Sequence, residues 1–160
     1  MSSLLVVALA WLHVLFAAVW IGSAILFIAV LGPVVSVLSP QSRSEFMARF
    51  LPKMEVFLNY VVPTLLASGA ALFVAMSWGA PLVPDAWTLS VAVGGALGLA
   101  TYLYALATLV PASRRLAALI RSGGSGDGLA TTQRALGRAS TVKLALMLLT
   151  FTAMVAAGFA

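Results

Sequence analysis

Four predominantly apolar stretches, residues 4–31, 56–78, 87–110 and 142–160, alternate with segments that hold nearly all of the charge. A membrane helix needs about 20 apolar residues, and each stretch supplies roughly that number. Transmembrane strands would alternate apolar and polar positions over about ten residues, and these runs do not. The pattern predicts an all-α integral membrane four-helix bundle, one transmembrane domain over residues 1–160. The first run is too long for the roughly 7–15-residue core of a secretory signal, and no basic residue precedes it. It reads as a retained first helix.

Local signals suggest boundaries. Pro33 and Pro111 follow the first and third runs, where a residue without an N–H is expected to end a helix. Trp78 and Trp87 flank the Gly79–Ala86 turn, as rings at headgroup level do. Pro63 should kink the second helix. The glycine-rich run Gly123–Gly128 reads as a hinge, and its spacing matches no phosphate-binding loop. Each half consists of a helix closed by proline, a basic segment and a second helix. The halves therefore read as a weak parallel repeat, and aligning Pro33 with Pro111 sets His13 opposite Val91.

Composition fixes the solvent. Of 160 residues, 62% are hydrophobic and 8% charged, with a mean hydropathy of +1.11, whereas soluble domains carry roughly 25% charged residues. The net charge of +5 does not point to nucleic acid, because the basic residues lie beside apolar spans, where they orient the chain and meet lipid headgroups. All nine Lys and Arg residues fall after the first helix, after the third helix, or at Lys143. The positive-inside rule then puts both termini on the outer side, in a multi-pass protein of the cell inner membrane. The absence of cysteine excludes disulfides, thiolate metal sites and thioether-linked haem.

His13 is the only histidine and sits well inside the first span. Ionisable groups at such depth are functional candidates by default, although a neutral imidazole bonded to a neighbouring helix would serve structure alone. Ala10, His13, Ala17, Trp20, Ala24 and Phe27 recur at steps of three and four, the pattern of a packing seam whose small members admit a partner helix or a flat ligand. Met147 and Met154 share a face of the fourth helix, and thioethers ligate haem iron or Cu(I), though methionine also fills core gaps. Glu55, Asn59, Tyr60, Tyr102, Tyr104 and Lys143 gather toward the basic side, where they could pass a proton or hold a headgroup; Lys143 is placed to snorkel to water. No paired carboxylates or nucleophile with a base is evident.

Trp11-Leu12-His13-Val14, then Val19-Trp20-Ile21-Gly22 and Leu31-Gly32-Pro33, resemble the opening of membrane proteins of the copper resistance protein D (CopD) and HemJ-like group. Arg49-Phe50-Leu51-Pro52 and the later Ser68-Gly69 look like its continuation, so the resemblance covers roughly residues 10–70. The HemJ-like branch implies a haem b protein oxidising protoporphyrinogen with the helix-1 histidine, here His13, as axial ligand. The CopD-like branch implies copper uptake or tolerance.

Three readings follow. In the first, a b-type haem protein performs electron transfer or quinol or porphyrinogen redox chemistry, with His13 as ligand, Ala17 and Trp20 lining the cofactor, and the sixth position open, filled by Met154, or filled by His13 of a second chain in a homodimer. In the second, Cu(I) passes along His13, Met154 and Met147. In the third, the chain is an accessory subunit packed against a larger membrane complex. Whether the chain is an enzyme, a haem-dependent membrane oxidoreductase, stays open between them. The orientation has a direct test: cysteines placed singly at Asp85 and Ser125 should differ in labelling by a membrane-impermeant thiol reagent, Asp85→Cys reacting in intact cells. Labelling of Ser125→Cys alone would reverse the topology.

Overall fold

The computed structural model describes residues 3–77, 85–122 and 127–159. Within them are four helices long and apolar enough to cross a membrane, α1 Leu4–Ser36, α2 Pro40–Ser77, α3 Ala86–Arg121 and α4 Asp127–Ala157, and no strand. Trp78, most of the 79–86 turn and residues 123–126 of the hinge lie outside the described residues. Asp127 and Gly128 open α4.

All four helices are longer than hydropathy indicates. With 31 to 38 residues each they reach about 46–57 Å, against roughly 30 Å of hydrocarbon. The excess lies on the basic side, where segments expected as loops, 36–55 and 112–141, are largely helical. These extensions are amphipathic and have an interior of their own: Leu116, Ala117, Thr132 and Leu136 are buried. Arg43 donates from Nε to the carbonyl of Val35 at 3.0 Å and from a terminal nitrogen to that of Ser36, satisfying carbonyls left open where α1 ends.

Pro33 and Pro111 do not terminate their helices. Each follows a π turn, Leu26–Leu31 in α1 and Ala105–Leu109 in α3, and helix resumes beyond it. The N–H one residue before each proline reaches five residues back, from Gly32 to Phe27 and from Val110 to Ala105. One extra residue in the turn moves the carbonyl that the pyrrolidine ring would strike, and the proline falls at the start of the next α segment, where an N–H is dispensable. The two π turns occupy equivalent places in the two halves, as the repeat alignment of Pro33 with Pro111 requires.

Each half is an antiparallel hairpin. In the first, His13 meets Leu65 and Gly69 while Phe27, further along α1, stacks on Phe50 with centroids 5.8 Å apart. In the second, Gly94 meets Met154 and Gly98 meets Thr150. The seam of α1 faces inward: none of Ala10, His13, Ala17, Trp20, Ala24 and Phe27 is exposed, whereas Trp11, Val14 and Val7 are. Trp20 forms the centre of the core with Val61, Val62, Leu65 and Met147. Most remaining large apolar side chains face outward, as lipid requires and water would not allow. At the far end Asp85 caps α3, accepting the N–H of Thr88 at 2.7 Å, and hydrogen bonds with Thr88 hold its carboxyl below the usual carboxylate range.

A Cβ at Gly94 would lie 2.9 to 3.0 Å from three atoms of the Met154 side chain. Gly94→Val should therefore lower stability by about 1–3 kcal/mol, read as thermal unfolding in detergent, and by clearly less in a Met154→Ala background. Equal losses in both backgrounds would contradict the α3 to α4 register.

Candidate functional site: the His13 shelf and an inter-hairpin cavity

Around His13 the site is built from backbone. The Nδ1 atom is 3.1 Å from the carbonyl oxygen of Leu65 on α2. A carbonyl can only accept, so Nδ1 carries a proton, and in the neutral ring Nε2 keeps its lone pair. The Nδ1–Cε1 side of the ring abuts Gly69: a Cβ there would come within 2.7 Å of Cε1 and 2.8 Å of Nδ1. Ser68 Oγ also donates to the Leu65 carbonyl, at 3.0 Å, so one peptide oxygen anchors two side chains. The imidazole is half-buried and thus reachable from outside its hairpin.

The shelf occurs once. The offset that pairs Pro33 with Pro111 sets Val91 at the place of His13, and the second hairpin has its own register, in which Gly94 meets Met154 and Gly98 meets Thr150.

The candidate ligands do not all share a seat. Met154 leans on Gly94 in the second hairpin, while His13 is held in the first. Met147 is packed into the Trp20 core, with Ala17 against that core. Among the described residues there is no group of three or more His, Asp or Glu side chains able to hold a metal ion.

A second feature, not visible in the spacing of residues, opens between the hairpins. A cavity of about 140 Å³ is framed by both π turns, with Phe27 and Ile28 from one and Ala105, Leu106 and Leu109 from the other. Trp20, Glu55, Asn59, Tyr102, Ser140 and Lys143 also line it. Four of the six polar residues expected to gather on the basic side thus meet here; Tyr60 instead faces outward, and Tyr104 is not in the lining. Lys143, read as a headgroup anchor, is half-buried and lines this space. Glu55 at the cavity is bonded to Arg114 of α3, with Nε at 3.1 Å from Oε1 and a second, shorter contact from the guanidinium, the link that ties the two hairpins on the basic side. Pro63 has no N–H to give the carbonyl of Asn59, four residues back, so a free backbone acceptor falls beside the same cavity. Prolines at 33, 63 and 111 were the available signal, since each disturbs a helix at this level.

No protein-family model, curated protein or solved structure matches this chain.

Gly69 and Gly22 give a paired test of the shelf. Gly69→Ala forces the anchored ring to move and should cost about 1–3 kcal/mol, whereas nothing lies within 4 Å of a Cβ at Gly22, so Gly22→Ala should be neutral or slightly stabilising. Thermal unfolding of the two variants in one detergent checks this; equal behaviour would remove His13 from Gly69.

Proposed function

We propose that this chain is a multi-pass inner-membrane haem b protein with both termini outward, and that His13 is the axial ligand. The observation that carries the reading is the bond from His13 Nδ1 to the Leu65 carbonyl. Ligating histidines almost always donate their other ring N–H to a carbonyl or carboxylate, which fixes the tautomer and raises the basicity of the metal-facing nitrogen. The Leu-His, Trp-x-Gly and Pro elements shared with the CopD and HemJ-like group support the same residue.

The fit is good at the ligand atom and sets a condition on the rest. The inter-hairpin cavity is too small for a tetrapyrrole and does not include His13, whose ring is half-buried in the first hairpin. Two chains related by a two-fold axis would present two such rings to one macrocycle, a closed arrangement natural to a homodimer. Met154 is occupied against Gly94, which favours His13 of a second chain as the sixth ligand. Haem b bound there would supply one-electron chemistry, with a quinol or a protein redox partner as donor or acceptor. This chain's part is to hold Nε2 unprotonated, to keep the ring against Gly69, and to surround the site with apolar side chains that exclude water.

The deciding experiment is a visible spectrum of detergent-purified protein expressed with ample haem. Wild type should show a Soret band, and His13→Ala, which adds no bulk to the seam, should insert normally and lose it. A colourless wild type, or a His13→Ala protein with full haem absorbance, would overturn this reading and put Cu(I) handling first, and a His13 that is dispensable with no cofactor bound would leave the accessory-subunit reading.

A further inference from the structure

The cavity between the hairpins holds one positive charge without a counter-ion. Lys143 is half-buried and lines it. The only ion pair among the described residues is Arg114 with Glu55, so the nearby carboxylate is already neutralised. Lys143 stands about 21 Å from the end of α4 at Ala157, and Trp20 about 24 Å from the start of α1, which places both inside roughly 30 Å of hydrocarbon, close to its basic boundary. An ammonium at that depth needs an anion or water.

An independent orphan lies on a residue of the same wall. Trp20 lines the cavity and is 3% exposed, and its indole N–H is buried with no acceptor among the described residues. Its core neighbours Val61, Val62, Leu65 and Met147 are hydrocarbon or thioether side chains. Indole nitrogen is a donor only, and buried donors of this kind are normally paired. Tyr102 and Ser140 add hydroxyls. The ammonium thus has no ion-pair partner among the described residues, one indole donor is unpaired, and most of the remaining lining is apolar.

We propose that this cavity binds the head of a singly anionic amphiphile, a carboxylate or phosphodiester, with Lys143 as counter-ion, the Trp20 N–H as a donor, and the acyl chain running along the apolar lining toward lipid. Charge balance selects a monoanion over a zwitterion, whose second charge would meet no partner except the already bonded Glu55. It selects it over a neutral quinone because a carbonyl leaves the ammonium unbalanced.

Radiolabelled oleate, titrated into the full chain in a neutral detergent, should bind at one site per chain. Dioctanoylphosphatidylcholine and decylubiquinone should not displace it. Displacement by dioctanoylphosphatidylglycerol identifies a lipid phosphodiester as the occupant; its failure to displace identifies a free carboxylate, and either result upholds the site. Lys143→Met should weaken oleate binding about tenfold or more, Lys143→Arg should restore most of it, and Trp20→Phe, which keeps an aromatic ring but lacks the N–H, should weaken it severalfold. Circular dichroism confirms that the variants fold, and Lys143→Arg controls for packing. Unchanged binding in Lys143→Met, or displacement by the zwitterion or the quinone as strong as by unlabelled oleate, would overturn the proposal. The site stands apart from His13, so oleate binding and the Soret band report on the two readings separately.

Discussion

Helices in lipid gain little from hiding apolar side chains from one another, because the tails are as apolar as leucine; they associate where their backbones can approach and where polar groups find partners. In this chain that constraint is met by two glycines. Gly69 lets the His13 ring lie on α2, and Gly94 lets Met154 lie on α3. Each contact sets the register of one hairpin, and the positions of the core, the π turns and the cavity follow from it. The first contact is also chemical: close approach brings the imidazole within reach of a peptide carbonyl, and a ring held that way has one nitrogen committed and one free.

The prolines illustrate how the fold converts a local defect into a feature. A proline in a helix removes a hydrogen bond and crowds the preceding turn. Widening that turn relieves the clash, and doing so at matching places in α1 and α3 frames a space between the hairpins. Single π turns of this kind often lie at functional sites. Here they border the one interior region where Lys143, Trp20 and Tyr102 come together.

The spans and the seam of α1 were legible in the sequence because both depend on a local property, hydropathy in one case and spacing of three and four in the other. Helix ends were not. Residues 40–55 and 127–141 are polar enough to look like loops, yet they stay helical because Leu116, Ala117 and Leu136 give the basic-side extensions a small core of their own. Pro33 and Pro111 were read as stops because a π turn leaves no mark on hydropathy. Gly69 could be noted as part of a motif, but its role depends on the register of two helices far apart in sequence. Lys143 shows the same limit: distance to the boundary suggested an anchor, and only packing shows that it also lines the cavity between the hairpins.

The His13 shelf can be examined without any cofactor, because the chain has one histidine and ring-¹⁵N labelling gives one pair of imidazole signals. Recorded on metal-free protein in detergent with the ring neutral, the spectrum should show a protonated Nδ1 and an unprotonated Nε2, the tautomer fixed by the Leu65 carbonyl. A protonated Nε2 with a bare Nδ1, or fast exchange between the two forms, would contradict the bond from which the account of this protein is built.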